Sequence, residues 1–590
     1  MCGILGLVTL GNSQETKEKF LNALSLLAHR GPDFVSFVQD KNIFLGHTRL
    51  SIIDLDDRSN QPMCYQDKYI LVFNGEIYNY KELREELYLQ GYRFHTQGDA
   101  EVLLCAYDFW GEKCVEHFNG MWSFTLLDKT KNKLFCSRDR FGEKPFFYYK
   151  DDNKFIFASE IKAILPFLKS VKANIPAMIP FIVRGNVDCY KNETFFKDIY
   201  RLNPSQNLVV DLENLDFQTS LYYEIASQEI HAQNPAQHLR MLLEDSIKLR
   251  LRSDVPIGSC LSGGLDSSCV NALIARLNPN KNNFVAIHAK STLKENDESE
   301  YAKRVAESLG VELCIVEPSK QDYLDNLEAV MLAQDEPFGS TSLYMQYFVM
   351  QKARELGIKV MFDGQGADEV FLGYETYLPY IYKDLQHKIS ESDFFKTLKS
   401  FKYSKELILR EMQDIGAFET IFNRISERSN IKLQYLSLES LKAIFKFADM
   451  FSFNIRELMQ NNLQALLRFE DRDSMAFGVE ARLPYLDSRI VDFILNLPIE
   501  IKFQKGYLKH LLRAACEDLL PRDIIWRYNK LGFESPQTYW FNGEREKMKA
   551  TIKHSRIIQE IFTKADIRED VFLWRLFSIA KWEELYKVEL

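Results

Sequence analysis

Cys2 stands one residue from the chain start, in the stretch MCGILGLV. With Met1 removed, it would carry both a thiol and a free α-amine. An amine of pKa about 7.7–8.0 is well matched to a thiol near about 8.5, so one residue would supply nucleophile and base, directly or through a water. Alone, a cysteine at position 2 is more often a packing residue. Polar groups at the ends of short apolar strands shift that balance. Arg49, in HTRLSIID (47–54), is the residue type that grips a carboxylate with two parallel hydrogen bonds. Asp99, in QGDAE (97–101), either receives an ammonium or caps the helix that follows. Asn74 and Gly75, in FNGEIYN (73–79), are either a plain turn or an amide and a backbone N–H aimed at an oxyanion. Together these groups would recognise the amino-acid end of glutamine and stabilise the anion formed when its side-chain amide is attacked.

A second constellation lies in LSGGLDSS (261–268), between an expected strand and an expected helix. Ser262, Gly263 and Gly264 let backbone N–H groups approach a phosphate closely, and the helix N-terminus adds its dipole. The lysine of a G-x-x-x-x-G-K-[ST] loop is missing. As a lone match the stretch is also readable as a glycine turn with Asp266 capping a helix. The acidic stretch FDGQGADEVFLGY (362–374) also follows an expected strand. In a parallel sheet both would sit at the carboxyl edge, where ligands bind. Asp266 and Asp368 would there share a Mg²⁺, which takes hard oxygen ligands and polyphosphate.

The elements that must position these groups fall into two rhythms. Residues 1–205 read as strands at 43–53, 69–74, 121–128, 133–139, 145–150 and 154–159, with helices at 14–28, 80–90 and 100–110. KTKN (129–132) makes a hairpin loop. Antiparallel sheets with helices on their outer faces give an α+β domain. Residues 206–234 carry little periodic signal and are expected to be a linker. From 235 to 590 strands at 256–261, 284–289, 311–316 and 358–363 alternate with helices at 236–252, 266–277 and 299–309, which implies a parallel, doubly wound sheet. Past residue 375 the pattern is mainly helical.

Composition is that of a globular chain of two or more domains: 590 residues, 46% hydrophobic and 27% charged. The net charge of −9 argues against a general nucleic-acid binder. Ten sparse cysteines with no C-x-x-C pair point away from a disulfide framework or zinc site. The first ten residues lack Lys and Arg and make a poor signal peptide, and there is no run of about 18 apolar residues. A cytoplasmic location, small-molecule partners, no nucleic acid and no membrane are expected; a homodimer is left open.

MCGILG, HRGPD, RLSIID, NGEIYN, GDAE and RDRFGEKPFFY together resemble the glutaminase domain of class II glutamine amidotransferases, within the N-terminal-nucleophile (Ntn) hydrolases. The pattern is most similar to that of the glutamine-hydrolysing asparagine synthetase family. The resemblance implies that Met1 is removed and that Cys2 attacks the glutamine amide. It implies that Arg49, Leu50, Ser51, Ile52, Ile53, Asn74, Gly75, Glu76 and Asp99 hold glutamine, with Asn74 and Gly75 at the oxyanion. LSGGLDSS resembles the pyrophosphate loop (PP-loop) of ATP pyrophosphatases, whose chemistry is AMP-forming. Leu261, Ser262, Gly263, Gly264, Asp266, Ser267, Asp363 and Gly364 would contact ATP or its pyrophosphate, Ala289 would lie by the adenine, and Asp266 and Asp368 would hold Mg²⁺. LLRFEDRDSMAFGVEARLPYLD (466–487), WRYNKLGFESP (526–536) and QDEPFGSTSLYMQY (334–347) also match the synthetase domain. Lys530 would correspond to a lysine near the α-phosphate.

The implied reaction frees ammonia from glutamine, adenylates aspartate with ATP and yields asparagine, AMP and pyrophosphate, with a tunnel between the two sites. One departure bears on the acceptor: Gln365 stands where these synthetases usually carry an acidic residue, and a neutral amide is no base towards ammonia. The competing readings are amidation of another carboxylate (a uronic-acid sugar or a non-standard amino acid), a non-catalytic glutamine or nucleotide sensor, and a stand-alone N-terminal-nucleophile hydrolase. Retention of Cys2 speaks against a sensor, which needs no nucleophile.

Overall fold

A computed structural model describes residues 2–10, 14–278, 284–400, 402–441, 449–528, 534–565 and 569–590. Two six-stranded sheets form the N-terminal half, and their neighbouring strands all run antiparallel. Their inner faces meet in one apolar layer, Ile4, Val8 and Leu45 from the first sheet against Ile70, Val72 and Leu134 from the second. The helix Gln14–Ser25 covers the outer face of the first sheet through Phe20, Ala23 and Leu24. Helices Tyr80–Leu89 and Asp99–Trp110 cover the outer face of the second. The result is a four-layer helix–sheet–sheet–helix stack with Cys2 leading into the central strand Gly3–Thr9.

Strands Gln206–Asp211 and Phe217–Leu221 belong to this stack: they pair with each other, and the first pairs with Lys133–Arg138. The stretch expected to be a linker from residue 206 therefore supplies two strands, and the connection shortens to residues 222–234. Phe217–Leu221 is exposed along its whole length, so it carries no strong apolar alternation.

The C-terminal half holds a five-stranded parallel sheet in the order Glu312–Val316, Phe284–Ala289, Ile257–Cys260, Val360–Phe362, Glu480–Arg482. Four strands coincide with the expected ones. The fifth, Glu-Ala-Arg, has no apolar signature, because its buried charges satisfy each other: Arg482 Nε donates to Glu480 at 2.7 Å. Helices then dominate to the C-terminus, ending in Asp570–Tyr586.

The helix Asn462–Met475 is the wall between the halves. One face turns to the N-terminal domain: Gln464 donates to Phe141 O at 2.8 Å, Arg468 to Asp188 at 3.1 Å, and Asp471 accepts two hydrogen bonds from Arg30 at 2.8 and 3.0 Å. Leu466, Phe469, Glu470 and Asp473, spaced by three and four, line a cavity in the C-terminal domain.

Candidate functional site

Cys2 is 8% exposed and held on three sides. Its backbone N–H donates to Asn74 Oδ1 at 2.9 Å, its carbonyl accepts from Arg30 Nε at 3.0 Å, and its thiol faces the Leu50 carbonyl at 4.0 Å. Burial pushes the thiol pKa up, so the thiolate needs a nearby base or positive charge. Asn74 spends its oxygen on Cys2 while its Nδ2 is buried without a partner among the described residues. A buried, unpaired donor costs about 1–3 kcal/mol, and an oxyanion beside the thiol would satisfy it. Gly75 follows in the strand Tyr69–Ile77 at φ +152°, where a Cβ would come within 2.1 Å of the Met121 carbonyl. Only glycine fits.

Arg49 ends the strand Ile43–Arg49. The loop after it holds the guanidinium: Nη1 donates to Asp56 O at 3.0 Å and Asn60 Oδ1 at 2.8 Å, and Nη2 donates to Asp54 O. Nε and one Nη2 proton have no partner among the described residues, a pair of donors suited to a ligand carboxylate. Leu50, Ile52 and Ile53, between the strand and that loop in sequence, are buried, and Ser51 N–H donates to Asp33 at 2.7 Å. Asp99 is not a helix cap: Gly98 holds that position, and Asp99 Oδ2 accepts from Ile77 N–H at 2.9 Å. Burial raises the Asp99 carboxyl to about 6. Glu76 lies with it, raised by burial and by Glu480, and Arg482 Nη2 approaches it to 3.8 Å from the other domain.

In the second site the loop between strand Ile257–Cys260 and helix Leu265–Leu277 is tied by its serines. Ser262 N–H donates to Ser267 Oγ at 3.1 Å, and Gly264 N–H to Ser262 Oγ at 3.2 Å. Gly263 has φ +80°, and a Cβ there would lie 2.7 Å from Ala302 N. Gly264 takes the cap position without a side-chain bond, which leaves the helix N-terminus open to an anion. Gly364 packs so closely that a Cβ would sit 2.9 Å from Ser267 N. Leu261, Ser262, Asp266, Ser267, Ala289, Asp363, Gly364 and Asp368 all line one cavity of about 350 Å³. The expected nucleotide residues are thus brought together from three segments, 261–267, 289 and 363–368, except Gly263 and Gly264, which belong to the loop beside the cavity.

Lys509 was not legible in the sequence as a functional residue. Its Nζ lies 2.7 Å from both carboxylate oxygens of Asp266 and 2.5 Å from Asp368, so both carboxylates converge on one cation. Lys530 lies outside the described residues. Gln346, Glu470 and Asp473 were also missed, although each falls within a stretch that matched the synthetase pattern. Gln346 Nε2 donates to Asp363 at 3.0 Å and reaches Glu470 Oε1 and Oε2 at 3.1 and 3.0 Å. Among the described residues no group of three or more His, Cys, Asp or Glu forms a ready-made metal cage.

Residues 1–223 match the glutamine amidotransferase domain model, and residues 238–581 match the asparagine synthase model. The chain belongs to the asparagine synthase family. Glutamine-hydrolysing asparagine synthetase 1 of Bacillus subtilis is 29% identical over 97% of this chain and 92% of its own length. Glutamine-hydrolysing asparagine synthetase 3 of the same organism is 30% identical over 89% and 86%. Amidase chyE of Penicillium rubens is 26% identical over 96% and 94%. Among solved structures, the allosteric regulatory enzyme of purine biosynthesis is 14% identical at TM-score 0.29, covering 54% of this chain and 80% of that one. The chain is a glutamine-dependent amidotransferase and an ATP-using carbon–nitrogen ligase. Its first half, the glutamine amidotransferase domain, is the antiparallel sandwich, and its second, the asparagine synthase domain, is built on the parallel sheet and the helices after it. No helix among the described residues is long and apolar enough to cross a membrane.

Proposed function

We propose that the chain is a two-site synthetase that moves the amide nitrogen of glutamine onto an AMP-activated carboxylate, with aspartate as acceptor and asparagine as product. With Met1 removed, the freed α-amine takes the Cys2 thiol proton and the thiolate attacks the glutamine amide. Asn74 Nδ2 and Gly75 receive the developing oxyanion, while Arg49 and Asp99 hold the carboxylate and ammonium of the amino acid. The observation that carries this half is the orphaned Asn74 amide, fixed in place by Cys2 itself. A purely structural asparagine would spend both ends on partners.

In the second half the serine-tied loop holds the pyrophosphate of ATP. The acceptor carboxylate attacks the α-phosphorus, pyrophosphate leaves, and ammonia displaces AMP from the acyl-adenylate. Asp266 and Asp368 fit Mg²⁺, which binds through one or two carboxylates and substrate phosphates; they already share one cationic atom, Lys509 Nζ. The ion would neutralise phosphate charge. Lys509 supplies a fixed positive charge at the same place.

A second reading of the acceptor rests on one observation. Asp266, Glu298, Asp363, Asp368, Glu369, Glu470 and Asp473 line the cavity, with no Arg, Lys or His among its described lining residues. Such a wall favours an acceptor whose remaining groups are ammonium or hydroxyl over one with a second carboxylate. Pyrophosphate release across a panel of carboxylates, with glutamine as nitrogen source, decides between them. Aspartate-dependent release with asparagine formed supports the first reading. Silence with aspartate and turnover with a sugar acid or a non-standard amino acid supports the second.

A further inference from the structure

We infer that Glu470 is the catalytic base of amide formation, taking the proton that ammonia sheds as it attacks the acyl-adenylate, in place of the acidic residue that Gln365 displaces. The inference rests on the amide-forming reading above and names a residue that reading leaves open. Gln365 lines the cavity and has no basic lone pair to offer. The reaction still needs a proton acceptor. The nitrogen lone pair forms the C–N bond, the C–O bond to AMP breaks with its electron pair on the phosphate oxygen, and one N–H proton must leave for a neutral amide to form.

Glu470 is placed for that task by three independent features. First, it sits on the wall helix one residue before Asp471, which is bonded to the same Arg30 that holds the Cys2 carbonyl. Ammonia passing between the two sites would meet this helix, which stands between them. Second, Gln346 clamps both Glu470 oxygens and Asp363, fixing the carboxylate beside the segment that closes over the pyrophosphate loop. Third, the neighbour one turn on, Asp473, is wholly buried with Oδ2 unpartnered among the described residues, so the wall presents unspent acceptor capacity to an entering N–H donor. Burial and the neighbouring Asp363 and Asp473 raise the Glu470 carboxyl well above its ordinary value, which brings it nearer the pKa of the proton it must take.

The test is Glu470→Gln in the full chain, measured three ways: glutamate release from glutamine, acceptor-dependent pyrophosphate release, and amide formed from glutamine or from ammonium. The first two are expected to persist and to report an intact fold. Amide formation should fall on the order of 10²–10⁴-fold with either nitrogen source, the usual worth of a positioned base. Gln365→Glu added to Glu470→Gln should restore part of it. Amide at the unaltered rate in Glu470→Gln overturns the inference, as does a parallel loss of pyrophosphate release, which would make Glu470 part of the adenylation step. If Glu470→Gln does not fold, Glu470→Asp replaces it: a full amide rate with a shortened carboxylate also overturns the inference. An unaltered protein that releases no pyrophosphate with any acceptor removes the underlying amide-forming reading instead.

Discussion

The two sites are built on opposite plans. At the glutamine site the working groups lie on or directly beside strands of one sheet sandwich, and backbone pairing fixes them: Asn74, Gly75 and Glu76 occupy consecutive positions of the strand Tyr69–Ile77. At the nucleotide site the backbone supplies only the loop and the sheet edge. The polar side chains that surround it, Gln346, Glu470 and Asp473 on the wall and Lys509 behind Asp266 and Asp368, come from elements scattered over some 160 residues of sequence. A site made by strand register is compact and tolerates little backbone change. One made by converging helices can exchange a side chain, such as the amide at Gln365, while another element takes over the work.

The largest effect that would sharpen this contrast is Cys2→Ala. It should abolish glutamine-dependent amide formation and leave the ammonium-dependent reaction in place; loss of both in a folded protein would mean that the sites are not separable. Lys509→Met should act the other way round. Glutamate release should survive, while pyrophosphate release falls on the order of 10²–10³-fold as a fixed cation leaves Asp266 and Asp368. A variant that kept full pyrophosphate release would show that Lys509 only ties the apo structure. Asn74→Ala removes one oxyanion donor and should cost on the order of 10²–10³ in kcat of glutamine hydrolysis; a change confined to KM would reassign Asn74 to substrate binding.

The smallest effect is a pH dependence. Burial raises the Asp99 carboxyl to about 6, so in the free enzyme it is protonated below that pH. The raised value means that the folded state binds more protons than the unfolded one between about 4 and 6, so this group's contribution to stability falls as pH rises through that window. If Asp99 holds the glutamine ammonium, as proposed, glutamine by contrast needs the ionised form. KM for glutamine should therefore rise as pH drops below about 6, approaching tenfold per unit, with ammonium-dependent synthesis free of this term. Asp99→Asn should flatten the slope and raise KM throughout; an unchanged slope would remove Asp99 from the binding site.

The same contrast explains what could be read from the sequence. Asn74–Gly75, the loop at 261–267 and the Asp363–Gly364 turn were legible because each is a short stretch in which the chemistry and the backbone shape coincide. The strand Glu480–Arg482 was not, because its charges are paired inside the protein and leave no apolar pattern to read. Strand 217–221 passed for a linker because an edge strand exposed on both faces looks like any polar stretch; strand 206–211 is short, and of its apolar residues only Leu208 and Val210 are buried, too few to announce a strand. Lys509 and Glu470 were invisible for a different reason. A charged residue on or beside a helix reads as solvated surface, and only the packing of separate elements shows that both are buried, Glu470 on the cavity wall and Lys509 against Asp266 and Asp368, which line it. Gln365 was noticed as a missing acid, yet nothing local to it could say where a replacement lies.

The most direct measurement is the stoichiometry of one reaction: glutamine, ATP and acceptor with the purified enzyme, counting glutamate, AMP, pyrophosphate and amide product together. One AMP and one pyrophosphate for each amide, with glutamate at least equal to amide and no amide from glutamine in Cys2→Ala, is the expected result. ADP and phosphate in place of AMP and pyrophosphate, or glutamine-dependent amide made without the Cys2 thiol, would contradict it.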